Sequence, residues 1–481
     1  MKALAALALL LAPLPALAQP ADRYAPESFE GVKHPDWSRE AVIYQINTRQ
    51  FTPQGTFKAA TIELPRLKAL GVDILWVMPI HPIGVQNRKG TLGSPYSVRD
   101  YRSVNPELGT LADFKAFVAA AHAHGMKVVI DWVANHTAWD NPIKAQHPDW
   151  YERDWKGANH STPWWDWTDI VDLDFSKVAL RRYMAESIIY WVRETDIDGY
   201  RADVAGYVPP DFWDDVRAEL QKIKPVWMLG EFNHRDLHMT SFDASYGWAW
   251  AEAVMKIAKG EADTGALYGY YSETESAWPT GAQRMIFTSN HDENAWAGTE
   301  FERFGKALPN AFALLFTSEG IPLIYNGQEA GNDKRLKFFE RDPIAWKQHA
   351  NGALIADWIK FRAAHPALDN APWGARMVHV KNNDATKVFS FVRAKDGDAV
   401  FVAQNYSAEP RTAKLGEIPH PGAWTEKGGV RMTLARGTQL VIAPWSTRVF
   451  TRRYRSQQDR SESSAQKRNQ ASVVQFVRSP V

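Results

Sequence analysis

Three acidic residues in this chain each follow an apolar run. Asp203 closes "DGYRAD", Glu231 closes "VWMLGE" and Asp292 closes "MIFTSNHD". Runs of this kind suit strands buried on both faces of a parallel sheet. A carboxylate at the end of such a run is costly to bury without a partner or a task. Three of them at C-terminal strand ends predict one site at the mouth of a parallel barrel. Two carboxyl groups held close together there have the chemistry to cleave a glycosidic bond, one as nucleophile and one as proton donor. Arg201 lies two residues before Asp203, on the same face of the strand, where its charge is expected to hold Asp203 ionised. Glu231 has to keep its proton instead, and apolar surroundings are expected to supply that. Any one of these acids alone reads equally well as a structural salt bridge or a helix cap. Their shared position at strand ends favours a site.

The elements that must carry these residues alternate from about residue 41 to 365. Strand-like runs start at Ala41, Val72, Lys127, Gly199, Val226, Met285 and Ile321, with a weaker one near Ser241. Between them lie helical stretches such as "LADFKAFVAAAHAHG", stopped by Gly125, and the stretch from Lys177, which puts Leu180, Met184, Ile188 and Trp191 on one face. Eight strands with intervening helices predict a (β/α)8 TIM barrel over 19–136 and 177–368. An inserted subdomain, 137–176, interrupts it after the third strand. It carries "STPWWDWTD", read either as a plug against the barrel or as a wall of a cleft. From 369 to 453 short alternating strands predict an antiparallel β-sandwich. Residues 454–481, rich in Ser, Gln and Arg, are expected to be a disordered tail.

Bulk properties narrow the function. The 481 residues carry a net charge of +1, which gives no electrostatic case for a nucleic-acid partner. Tryptophan is abundant at 21 copies; indoles build cores and also make flat platforms for sugar rings. Residues 1–18 run from Lys2 through an Ala/Leu stretch to Ala16-Leu17-Ala18. This predicts a secretory signal and an exported protein, periplasmic or secreted. Pro13, Pro15 and the shortness of the run argue against a membrane span. Cysteine is absent, so neither disulfides nor a lipid-anchored cysteine is expected, and no stable membrane anchor.

Four segments together resemble the α-amylase family of retaining glycoside hydrolases: "DWVANH" (131–136), "GYRADVAGY" (199–207), "GE" (230–231) after a strand, and "FTSNHDEN" (287–294). Their order and spacing fit, and the resemblance spans roughly 36–455. It implies Asp203 as nucleophile, Glu231 as general acid and base, and Asp292 as the group that stabilises the transition state. It further implies that His136 and His291 hydrogen-bond sugar hydroxyls and that Tyr96, in "GSPYSVRDY", stacks on the same sugar. Trp296 is a further candidate for the cleft. The implied substrate is an α-glucan or maltooligosaccharide cleaved at α-1,4 bonds. A glucanotransferase or an exo-acting maltogenic or α-glucosidase enzyme of the same family is the alternative. A non-catalytic glucan-binding protein is the alternative of another class, but it should have lost one of the three carboxylates. The family often binds calcium between barrel and insertion. Asn135 matches one ligand and Asp172 in "VDLDF" is a second, whereas Tyr207 stands where the family has a histidine. Asn135 as a plain loop anchor is the other reading.

Overall fold

The computed structural model describes residues 31–454. The segment read as a signal sequence and residues 455–481 of the expected tail lie outside the described residues. Eight parallel strands close into a barrel: Ile43–Ile46, Ile74–Val77, Lys127–Val133, Gly199–Asp203, Trp227–Gly230, Ala244–Tyr246, Gln283–Phe287 and Ile321–Tyr325. Each neighbours its predecessor in sequence, and the first pairs with the eighth. Every residue of the fourth, fifth, seventh and eighth strands is buried, as a sheet covered on both faces requires. The weakest sequence signal belongs to the sixth strand, and it is also the shortest, three residues long.

Local chemistry fixes the element ends. Thr110 and Asp113 form a reciprocal capping box on the helix Leu111–Ala123. The helix Val178–Thr195 buries Leu180, Met184, Ile188 and Trp191, the stripe expected from its spacing. Gly199 opens the fourth strand at φ 153°, and a Cβ there would sit 1.7 Å from the carbonyl oxygen of Trp227, so only glycine lets the fourth and fifth strands approach.

The insertion is clasped by a short antiparallel ribbon, His136–Ala138 against Ile170–Asp172, with His136 opposite Asp172. The C-terminal region holds a six-stranded antiparallel sheet and a separate two-stranded pair, Arg411–Lys414 with Gln439–Ile442. Its strand Asp398–Asn405 is buried throughout because its two faces meet different partners. Val400 and Val402 join the barrel's core, whereas Phe401 and Ala403 pack with Ala413, Leu440 and Ile442 of the two-stranded pair. Tyr454, at the head of the expected tail, is held in place. Its N–H donates to the Gly397 carbonyl and its ring stacks on His420. No helix among the described residues is long and apolar enough to cross a membrane.

Candidate active site

Arg201 organises the site from within the fourth strand. Its guanidinium is fully buried and serves three carboxylates. Nη1 donates to Asp131 Oδ1 at 2.7 Å and to Asp203 Oδ1 at 2.9 Å, and Nη2 lies 2.7 Å from Glu231 Oε2. Nε donates to the Tyr246 hydroxyl at 3.1 Å. The rings of Trp76, Tyr96 and Tyr246 surround the guanidinium at 5.2–5.6 Å, an arrangement that favours a desolvated cation. Asp203 is the last residue of its strand, and Glu231 follows the end of the next one. Two strand ends side by side and one shared guanidinium thus place the two carboxyls together.

The structure corrects three expectations. Arg201 is expected to hold Asp203 ionised, but it does not prevail there: burial and then the charge of Glu231 push the Asp203 carboxyl well above the ordinary range, against the opposing pull of Arg201. Glu231 does not sit in apolar surroundings. Its Oε2 accepts the Val204 N–H at 2.8 Å in addition to facing Arg201. Both contacts converge on Oε2, leaving Oε1 without a protein partner among the described residues. Val204 aims that N–H from a left-handed conformation, φ 36°, which is strained for a β-branched residue and stands directly after the nucleophile candidate. Finally, Asp292 is not at a strand end. The seventh strand stops at Phe287, and Asp292 is carried beyond it on a turn in which Asn290 Oδ1 accepts the N–H groups of Asp292 and Glu293. Its side chain keeps 43% of its surface open to the cleft.

The two histidines belong to the site and are neutral. Burial lowers His136 to about 4 and His291 to about 3. The His291 tautomer follows from its neighbours. Gln45 Oε1 accepts the backbone N–H of His291, so the Gln45 amide NH2 must face Nδ1, at 2.7 Å. Nε2 then carries the proton, 2.7 Å from the Tyr96 hydroxyl and 3.2 Å from Asp292 Oδ2. The Tyr96 hydroxyl in turn donates to Asp131 Oδ2 at 3.0 Å. His136 takes the Asn135 amide at Nδ1 and brings Nε2 to 4.0 Å from Asp203 Oδ2.

These groups line a cavity of about 450 Å3, within the size range of small-ligand sites. Trp165, Trp167 and Trp296 line it, as do Phe338 and Phe339 from the loop after the eighth strand. The tryptophan-rich insertion is therefore a wall of the cleft. Trp165 stacks on Trp167 at 5.8 Å, while the neighbouring Trp164 is 83% exposed. Sequence reasoning missed Asp131, which is fully buried, ion-paired to Arg201 and raised to about 6 by burial. Its signal was present: an acid inside the apolar strand "KVVIDWV" has to have a partner. The Phe338–Phe339 pair carried no signal beyond two aromatics in a charged loop.

Asn135 and Asp172 also come together. The Asn135 amide nitrogen is 3.3 Å from Asp172 Oδ1, which also accepts the Thr162 hydroxyl at 2.8 Å. The Asp172 carboxyl is buried and pushed to about 6 by that burial. Ligand atoms of Glu152, His160 and Asp172 lie within 4.8 Å of one another. Two carboxylates and the Thr162 hydroxyl supply oxygens of the kind a hard cation takes, while Asn135 turns its NH2 towards Asp172; His160 lies 4.0 Å from Asp172, and neither Lys nor Arg pairs with it among the described residues.

The profile of a family described as "Alpha amylase, catalytic domain" matches residues 25–377. The chain is 30% identical over 402 residues to alpha-amylase MalA of Haloarcula japonica; the match covers 79% of this chain and 57% of that relative's length. It is 24% identical over 448 residues to a cyclomaltodextrinase of a Bacillus species, covering 81% and 76%. Among solved structures it resembles a maltogenic alpha-amylase, AmyB, of Thermotoga neapolitana, with a TM-score of 0.79 and 28% identity over 86% of this chain and 99% of that one.

Proposed function

This chain belongs to the alpha-amylase family of glycoside hydrolases, and we propose that it cleaves α-1,4-glucosidic bonds of starch-derived glucans and maltooligosaccharides with retention of configuration. The observation that carries the reading is that Asp203 and Glu231, both on the wall of an aromatic-lined cavity, are bridged by the single buried guanidinium of Arg201. In this reading an Asp203 oxygen attacks the anomeric carbon and a covalent glycosyl–enzyme ester forms. The bond to the leaving oxygen breaks as Glu231 delivers its proton, from the Oε1 side. The deprotonated Glu231 then takes a proton from water, whose oxygen displaces Asp203 from the same carbon. Asp292, open to the cleft, would face the positive charge that grows on the sugar ring. Neutral His136 would donate to a sugar hydroxyl through Nε2, His291 would do so by turning its Nε2 proton from the Tyr96 hydroxyl to the sugar, and Tyr96 would pack against the sugar. Double displacement requires carboxyls about 5–5.5 Å apart, a spacing that one shared guanidinium favours.

Calcium is a further part of the proposal. Asn135 and Asp172, with Glu152 nearby, would hold the ion, which would fasten the insertion to the end of the third strand. The support is Asp172's buried carboxylate with no Lys or Arg beside it.

Proton NMR on a fresh digest of a maltooligosaccharide series tests the reading. The first product should be the α-anomer; an initial β-anomer would remove the nucleophile role from Asp203. Products longer than the substrate would assign the chain to glucanotransferase action instead.

A further inference from the structure

A second cavity, of about 340 Å3, lies at the N-terminal end of the barrel strands, opposite the carboxylates, where the barrel meets the C-terminal sheets. Its wall carries four cations, Arg284, Arg376, Arg393 and Lys395, against one carboxylate, Glu319. That carboxylate is already engaged: Oε2 lies 3.4 Å from Arg376 Nε, and Oε1 accepts the N–H of Met377. The other three cations have no carboxylate partner among the described residues. Arg393 is buried and donates only to backbone carbonyls, those of Ser318 at 2.8 Å, of Ala375 and Asp369 at 2.9 Å and of Leu368 at 3.3 Å. Lys395 likewise reaches only the carbonyls of Pro372 and Trp373.

Arg284 is the most exceptional of the three. It is 4% exposed, and its guanidinium lies over the Trp278 ring at 3.5 Å. Nη2 donates to Asn233 Oδ1 at 2.5 Å and to the Tyr246 carbonyl at 2.7 Å. Nε and Nη1 have no partner among the described residues. Burial lowers the proton affinity of Arg284 and pushes Arg393 down to about 10, because it outweighs the favourable charge of nearby acidic groups, Glu319 foremost at Arg393.

Cations taken out of water and hydrogen-bonded only to neutral carbonyls are under-compensated in charge, which is costly. We propose that this cavity is a binding site for a small oxyanion of the phosphate type, which ties the base of the barrel to the C-terminal sheets. The chemistry of the wall selects the class. Guanidinium and ammonium groups offer donors only, so they fit a ligand that accepts only. A sugar brings hydroxyl donors as well and would need free acceptors, and the one carboxylate here is in use. The two cavities share no lining residue, and Arg284, the second residue of the seventh strand, touches the cleft side only through Asn233 and the Tyr246 carbonyl.

The full chain, titrated with inorganic phosphate by calorimetry and by thermal melting at constant ionic strength, tests this. A saturable heat near one phosphate per chain is expected, with a Tm that rises with phosphate and levels off. Lys395→Met and Arg376→Met, at the half-buried rim, should each weaken the apparent Kd at least tenfold. Lys427→Met, which removes a lysine outside the cavity, should leave it unchanged. Absence of heat, a Tm response matched by chloride, or equal Kd values in the two rim variants and the parent would overturn the proposal. Hydrolytic activity is not the readout, so failure here and failure of the glycosidase reading are separable.

Discussion

Glu231→Gln is the perturbation whose outcome is most constrained by the geometry. Glu231 Oε2 receives the Val204 N–H at 2.8 Å and faces Arg201 Nη2 at 2.7 Å. The amide oxygen of glutamine can take that place and keep both contacts. The NH2 group then occupies the position of Oε1, where it can donate a hydrogen bond but cannot release a proton. Loss of general-acid help is worth about 10²–10⁴-fold in rate. At about 1.4 kcal/mol per decade this raises the barrier by roughly 3–5 kcal/mol. The cost should fall on glycosidic bonds whose leaving group needs a proton. A maltosyl fluoride carries its own good leaving group, so formation of the glycosyl–enzyme from it should be nearly as fast as in the parent. The assay is therefore kcat/KM on a maltooligosaccharide and on α-maltosyl fluoride, with thermal melting to show that the fold is kept. Glutamine mimics the neutral, protonated form of Glu231, so on the fluoride the basic limb set by that proton should disappear. Equal losses on both substrates would refute the acid role.

Asp131→Asn should lower stability by about 1–3 kcal/mol in denaturant melts, below the usual figure for breaking a buried pair because Arg201 keeps two other carboxylates; a neutral effect would show that Asp131 is not needed to balance Arg201. If calcium is held at Asn135 and Asp172, excess chelator should lower the Tm by several degrees in the parent and not in Asp172→Asn, since a ligand at about 100 times its Kd stabilises by about 2.7 kcal/mol. An unchanged melting curve together with a metal-free elemental analysis would leave Asn135 as a loop anchor. Glu300 is buried, and burial raises its carboxyl from 4.5 to about 8. The folded state therefore holds a proton that the unfolded chain has released, and stability should fall as pH rises from 4.5 towards 8, by up to about 1.4 kcal/mol per unit from this group. Glu300→Gln should flatten that slope in melts taken across the window, and an unaltered slope would exclude Glu300 as its source.

The barrel was legible in the sequence because parallel strands write themselves as unbroken apolar runs, and seven of the eight did so. The sixth, Ala244–Tyr246, shows what was missing: three residues are too few to make a period, and its place is set by its neighbours. Asp203 and Glu231 were readable because a carboxylate after an apolar run is conspicuous. The turn that carries Asp292 past its strand was not, since it depends on Asn290 folding back on the chain. Electrostatics was the least readable level. "GYRAD" shows that Arg201 and Asp203 share a face, but sharing the arginine with Asp131 and Glu231 depends on strand register, which pairs Arg201 with Asp131 on one side and Leu229 on the other. The cleft's aromatic wall divides the same way. "STPWWDWTD" announced itself, whereas Phe338 and Phe339 acquire their position only once the eighth strand is in the barrel.

The imbalance of charge at Arg201 is itself informative about catalysis. Asp131, Asp203 and Glu231 surround one buried guanidinium, and Asp292 faces the same cavity from the cleft side. With no cation on the sugar, burial and mutual repulsion raise the proton affinity of Asp203. Such a site is poor at holding its full negative charge in the ground state. When positive charge grows on the anomeric centre, that same field becomes attractive, and it does so without reorganisation because the groups are already fixed. Interactions stronger in the transition state than in the ground state are the ones that raise kcat. The strained Val204 and the buried, unbalanced carboxylates are therefore costs to stability set where rate benefits, a pattern expected of a site selected for turnover rather than for the fold alone.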